Sequence, residues 1–214
     1  MKNIVIIGGG GFGREVKMLI DQINEVDKKY NFLGYYDDGI EPLSHINGYP
    51  ILGSIRDLNT ISEEVCVVLA IGTSQLRENI LLQINNSVIE FPILIHPNVI
   101  IGDDMVFIGE GCIICAGSIL TVNINIGKHV IINLACTVGH DTIIGDFCSL
   151  MPAVNISGEV NLADCVYIGT GAKIINQVSI GKNTIIGAGA VVTKSLPANC
   201  TAVGIPAKSI KFHN

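Results

Sequence analysis

Two different periods of apolar residues divide the chain. In the first part, short continuous runs alternate with helical spacing. Ile4 to Ile7 is a β-branched run, which predicts a strand. Arg14 to Ile23 places Val16, Leu19, Ile20 and Ile23 on one face of a helix. Phe32 to Asp38 predicts a second strand ending in two acids, and Val65 to Ile71 a third. A polar turn and a helix from about Gln75 to Ile84 follow, then a last strand over Phe91 to Ile95. Alternating strands and helices of this length predict a small parallel sheet.

After His96 and Pro97 the helical period stops and a step of six replaces it. Ile108, Ile114, Leu120, Ile126, Ile132, Val138, Ile144, Leu150, Ile156, Leu162, Ile168, Ile174, Ile180, Ile186 and Val192 stand in register, and each is Ile, Leu or Val. The positions two earlier are almost all small, β-branched or cysteine, from Val106 and Cys112 to Thr184 and Ala190. Glycine directly follows the aliphatic at Gly109, Gly127, Gly139, Gly145, Gly169, Gly181 and Gly187. A fixed short period sustained this long is a structural repeat. Each six-residue unit is read as a short strand plus a bend, with the large aliphatic inward and glycine supplying positive φ at the bend. Three units per coil make a triangular prism, so residues 18 apart stack about 4.8 Å from one another. The fold expected is therefore an α/β half-Rossmann domain over residues 1–96, followed by an all-β solenoid over residues 97–214.

Composition narrows the function. Hydrophobic residues make up 49% of the chain and charged ones 15%, enough apolar surface for a large core. The formal charge is -6 and no basic run occurs, which argues against a nucleic-acid partner. The longest uncharged run, Gly111 to Gly127, is interrupted by Ser118, Thr121, Asn123 and Asn125, so no membrane span is expected. Seven cysteines with no signal-peptide pattern suit a reducing cytoplasm. Cys112, Cys136 and Cys148 fall at the small inward position of the repeat, where cysteine acts as a buried hydrophobe. No metal site is expected.

The glycine-rich loop after the first strand contains G-x-G-x-x-G as Gly8, Gly10 and Gly13. Fewer than 100 residues precede the repeat, enough for one mononucleotide half but not the two that a dinucleotide fold needs. The loop is therefore read as holding one nucleotide diphosphate, its helix-start N–H groups favouring an anion. A tight strand-to-helix turn without a ligand is the competing reading.

The hexad register running into VVTKSLPANCTAVGIPAKSI, with Gly204-Ile205-Pro206-Ala207-Lys208 near its end, resembles the left-handed β-helix acyltransferases. With the glycine-rich domain ahead of it, the whole chain is similar to bacterial nucleotide-sugar acetyltransferases. Those N-acetylate UDP-, dTDP- or GDP-linked 4-amino-6-deoxy sugars for surface glycans, and sialic acid O-acetyltransferases are near relatives. The resemblance implies a left-handed parallel β-helix, acetyl-CoA as donor, a nucleotide-activated amino sugar as acceptor, and a homotrimer with the acetyl-CoA groove between subunits.

It also assigns residues. Gly10, Gly11, Phe12 and Gly13 would contact the sugar nucleotide, and Asp37 and Asp38 would accept hydrogen bonds from ribose or base. Gly72 and Thr73, with Arg77 just inside the next helix, would close the pocket; a solvated surface arginine is the other reading of Arg77. His140, followed at once by Asp141, matches the family's base and its acid partner; on its own it reads as an exposed bend histidine. Gly158, 18 residues on, would lie one coil above it with an N–H free to serve as oxyanion donor. Acetyl-CoA would run past Thr170 and Ala188, with Lys194 or Lys208 at its phosphates. Many relatives carry a second histidine nine residues after the base; here that position is Ser149, expected to reach the acetyl group or a water.

Three other functions remain open on sequence alone. One is O-acetylation of a sialic acid or related sugar. Another is a non-catalytic nucleotide-binding scaffold, for which His140 would be dispensable. The third, an NAD-linked enzyme, lacks a visible second half of the cofactor fold.

Overall fold

The computed structural model describes residues 1–213. The first domain contains β1 (Lys2–Ile7), α1 (Gly11–Val26), β2 (Tyr30–Tyr36), β3 (His45–Ile46), β4 (Tyr49–Gly53), a 3-10 helix (Ile55–Thr60), β5 (Val65–Leu69), α2 (Ser74–Leu81) and β6 (Ile89–Glu90). They form a mixed sheet of order β3-β4-β2-β1-β5-β6, parallel except for the β3–β4 pair. β1 is central and covered on both sides, which explains its unbroken apolar run. Ile4 and Ile6 pack on the α1 stripe of Val16, Leu19, Ile20 and Ile23. Val5 and Ile7 face Ile55, Leu58 and Ile80 on the opposite side. β4 has no counterpart among the expected strands; it is short and carries Pro50, which weakens a strand reading.

The strand expected over Phe91 to Ile95 belongs elsewhere. Leu94–Ile95 pairs with Ile113–Ile114 and is the first strand of the solenoid, whereas the α/β sheet ends at β6. Solenoid pairing thus begins inside the segment assigned to the first domain, because a five-residue apolar run reads alike in either sheet.

Three parallel sheets form the prism. The first face runs from Leu94–Ile95 to Cys200–Val203 and ends in an antiparallel strand, Lys208–Phe212. The second face has six strands, from Ile100–Ile101 to Val191–Val192, and the third has five, from Val106–Ile108 to Ser179–Ile180. Pairings such as Thr137 with Asn155 and Val138 with Ile156 confirm the eighteen-residue coil. Of the inward aliphatics predicted, all from Ile114 to Val192 are buried, and Ile108 packs against the same cluster. The inward hydroxyls of Ser118 and Thr184 bond the carbonyls of Asn133 and Pro197 at 3.0 and 2.7 Å, so neither is left unpaired.

The glycines after the inward aliphatics serve a purpose other than the one expected. Positive φ falls two residues later, at His129, Asp141, Phe147, Gly171 and Asn183, for example. Gly139 is required by close approach: a Cβ there would lie 2.6 Å from the Gly158 nitrogen and 2.7 Å from the Ser157 carbonyl carbon of the next coil.

The α/β domain sits on the first face. Leu94, Ile113 and Ile131 point out of the prism there and join the α1 core cluster, so one apolar layer is shared by both domains.

Candidate active site

The prism has three corners. His140 stands at the one between the second and third faces, in the turn after the Thr137–Val138 strand. The next coil brings Gly158 over it, and Glu159 N–H donates to the His140 carbonyl at 2.8 Å. The imidazole is exposed, with 56% of its side chain accessible. Its Nδ1 lies 2.8 Å from Asp141 Oδ2, and Asn123 Nδ2 donates to Asp141 Oδ1 at 3.0 Å. The His140 bond first, and the Asn123 bond second, hold the Asp141 carboxyl below its ordinary range. With Nδ1–H given to Asp141, Nε2 keeps its lone pair free.

Gly158 lies against that nitrogen. A Cβ built there would overlap Nε2 and lie 2.5 Å from Cε1 and 2.8 Å from Cδ2. Among the described residues the Gly158 N–H has no protein acceptor. A free base nitrogen beside a free amide is what addition to a carbonyl needs: one takes a proton, the other meets developing negative charge. Coil stacking carries the column on to Asn176 and Lys194, and Lys194 is exposed.

Other assigned residues are placed elsewhere. Thr170 and Ala188 are both exposed and share a corner, but it is the corner between the first and second faces, not that of His140. Lys208 lies in the terminal hairpin opposite Val203. Ser149 lies on the first face, away from the His140 corner. It is fully buried under the α/β domain, where Oγ donates to the Gly72 carbonyl at 2.8 Å and accepts from Ser74 Oγ at 3.2 Å. A side chain so enclosed is shut off from solvent.

The carboxyl ends of β1, β2 and β5 open into a pocket of about 220 Å³, lined by Gly8, Asp37, Asp38, Ile55, Ile71 and Leu76 among others. Such a crevice is the usual ligand position in an open parallel sheet. The acids are partly committed to the backbone. Asp37 accepts from the N–H groups of Gly9 (2.7 Å) and Gly39 (2.9 Å), and Asp38 accepts from Ile55 N–H at 2.8 Å. Gly10 and Gly11 are exposed at the start of α1, which has no side-chain cap. Phe12 packs partly into the core, and Gly13 lets α1 close on β1, since a Cβ there would strike the Gly8 carbonyl.

Arg77 is neither a surface arginine nor free to touch a ligand. It is fully buried, and its guanidinium donates to backbone carbonyls of both domains and to Ser149 Oγ. Thr73, just after Gly72, begins a second, interdomain cavity of about 260 Å³. Thr73, Ser74 and Gln75 line one side, and Cys165, Tyr167 and Asn183 are on the other. Neither this cavity nor the role of Arg77 had a signal in the sequence, since both exist only once the domains dock. The buried Cys112, Cys136 and Cys148 thiols are pushed up to about 12, 11 and 12 by burial, so they are not nucleophiles at neutral pH. Among the described residues no three His, Cys, Asp or Glu side chains are grouped to hold a metal ion.

One relation governs the rest. The α/β domain covers the first face, and the His140 corner lies between the other two. Within one chain the Asp37–Asp38 pocket and His140 are therefore on opposite sides of the prism.

A parallel β-solenoid with an α/β cap and a histidine–aspartate pair at a corner defines a hexapeptide-repeat acyltransferase. Residues 3–84 match the PglD N-terminal domain, and residues 159–194 match the bacterial transferase hexapeptide (six repeats). The chain is 31% identical over 212 residues to GDP-perosamine N-acetyltransferase of Escherichia coli O157:H7, covering 96% of this chain and 95% of that one. WeeI from Acinetobacter baumannii AYE superimposes with a TM-score of 0.89 at 36% identity, over 98% of this chain and 100% of WeeI. PerB from Caulobacter crescentus, solved in complex with CoA and GDP-perosamine, gives 0.87 at 31% identity over 99% and 98% of the two chains. The chain belongs to the PglD-like hexapeptide-repeat acetyltransferase family and is an acetyl-CoA-dependent acetyltransferase.

Proposed function

We propose that the chain transfers the acetyl group of acetyl-CoA to the amine of a nucleotide-linked 4-amino-6-deoxy sugar, with His140 as general base. The observation that carries this reading is the free Nε2 of His140, oriented by Asp141 and lying against the unpaired Gly158 amide. The sugar amine attacks the thioester carbonyl, a C–N bond forms, and the carbonyl oxygen takes up the electron pair beside the Gly158 N–H. His140 Nε2 accepts the ammonium proton. Collapse of the intermediate breaks the C–S bond, and the proton passes to the CoA sulfur. One residue thus acts as base and then acid.

The nucleotide would occupy the pocket at Asp37 and Asp38, with its sugar past Gly72 and Thr73 in the interdomain cavity. Because that side of the prism is opposite His140, a second copy must supply the histidine. A three-fold assembly does this for every copy. It would also bury Ile119 and Ile143, which are 38% and 50% exposed on the second and third faces. Acetyl-CoA would then lie between the His140 corner of one copy and the Thr170–Ala188 corner of the next, with Lys194 or Lys208 at its phosphates. Acetyl-CoA use fits a cytoplasmic enzyme, and no helix of the described residues is long and apolar enough to cross a membrane.

The test is thiol release from acetyl-CoA with UDP-, dTDP- and GDP-linked 4-amino-6-deoxy sugars, beside free amino sugars and sialic acid. Release with one nucleotide sugar, lost in His140→Asn, is expected. Release only with a free sugar would replace N- by O-acetylation. A second experiment mixes inactive His140→Asn with an inactive Asp37→Asn/Asp38→Asn chain under conditions that exchange subunits. Activity returns if pocket and base come from different copies.

A further inference from the structure

We infer that Arg77 is a positioning residue for the acceptor: it clasps the segment 71–74, which both cavities share, onto the solenoid. The inference rests on the proposed function for the identity of the acceptor, but not for the clasp itself.

Arg77 lies in the first turn of α2, and its guanidinium points into the domain junction. Nε donates to the His129 carbonyl at 2.9 Å. Nη2 donates to the Phe147 and Cys148 carbonyls at 2.6 and 3.1 Å and to Ser149 Oγ at 2.9 Å. Nη1 turns back to the carbonyl of Ile71, with that of Gly72 at 3.5 Å. Ser149 completes the ring by donating to the Gly72 carbonyl at 2.8 Å. Two stacked corners of the solenoid are thereby tied to the loop between β5 and α2.

That loop is a wall of both cavities. Ile71 lines the nucleotide pocket, and Thr73 and Ser74 line the interdomain cavity. Among the described residues no carboxylate pairs with Arg77, so only carbonyl dipoles and the Ser149 hydroxyl compensate the charge. Burial lowers its pKa to about 10, which still leaves it a cation at neutral pH. A buried cation with only neutral partners is costly and sensitive to geometry. A lysine ammonium cannot reproduce a planar fork that serves both sides at once.

The test uses the full chain with Arg77→Lys and the milder Ser149→Ala, each followed by amide hydrogen exchange, thermal melting and steady-state kinetics with GDP-perosamine or the panel sugar that is turned over. Exchange over residues 71–76 is expected to quicken about tenfold, with solenoid amides unchanged. The KM for the nucleotide sugar should rise about tenfold, with the KM for acetyl-CoA and kcat within about twofold, the size of one lost charged hydrogen bond. Unaltered exchange at 71–76 in both variants would overturn the clasp. So would exchange that quickens throughout the chain, or both KM values rising together, since either marks general stability. Should no nucleotide sugar be turned over by the unmodified chain, the proposed function fails, and exchange alone still decides the clasp.

Discussion

His129 and His140 sit at two corners of one prism and differ in almost everything else. His129 lies between the third and first faces, under the α/β domain. It is 1% exposed, stacks on Phe147 with ring centroids 5.3 Å apart, meets Phe91 edge-on at 5.1 Å, and leaves Nδ1 without a partner. Burial pushes its pKa down to about 4. His140 stands in solvent, held by Asp141 and faced by a bare glycine. The repeat supplies both corners with similar backbone. What docks on the corner decides whether its histidine is buried packing or stands free in solvent.

Four substitutions sharpen or break that contrast. The largest effect is expected from His140→Asn, which should lower kcat about 10³-fold, as loss of a general base does, without changing the melting temperature. If His129→Phe cost as much, the division of roles would be wrong.

His129→Phe should instead alter stability. Burial keeps this imidazole neutral in the folded chain down to about pH 4, whereas the unfolded chain protonates near the ordinary value of 6.5. Between those values the unfolded state binds more protons, so the residue's contribution is lost as pH falls from 6.5 to 4. The full swing is on the order of 3 kcal/mol. Urea midpoints measured from pH 7 to pH 4 should therefore fall less steeply in His129→Phe than in the unmodified chain.

Gly158→Ala comes next. Its Cβ would overlap the His140 ring and force it aside, and misplacement of a reacting group by about 1 Å costs about 10²-fold. Kinetics at saturating acetyl-CoA would show this as a fall in kcat with little change in melting temperature. Asp141→Asn should be mildest. It removes a charged hydrogen bond that orients an exposed ring, a loss of about tenfold in kcat/KM. No change in that assay would mean that coil stacking alone orients His140.

The two halves of the chain differ in how far they could be read in advance. The solenoid was legible because each coil repeats the same burial problem: one large aliphatic and one small residue inward per six, from Ile108 to Val192. Even so, the reason for its glycines was misread, since a contact such as Gly139 on Gly158 involves residues nineteen apart and shows only when coils stack. In the α/β domain, β1 and α1 were visible from period alone, but Phe91 to Ile95 was assigned to the wrong sheet. His140 and Asp141 could be named because they are adjacent and match a family pattern. The burial of Ser149 and Arg77 has no signal along the chain because their partners across the junction are 52 to 77 positions away.

The sequence by itself determined the prism, its eighteen-residue coil, the strand–glycine–helix start, and the adjacency of His140 and Asp141. These follow from local spacing, and local spacing repeats. Only the tertiary structure decided which face the α/β domain covers. That choice buried His129, turned Arg77 and Ser149 into a junction, formed the interdomain cavity, and left His140 on the far side of the prism from the Asp37–Asp38 pocket. Docking depends on how two apolar surfaces match, Leu94, Ile113 and Ile131 against the α1 stripe, and no period along the chain records that match.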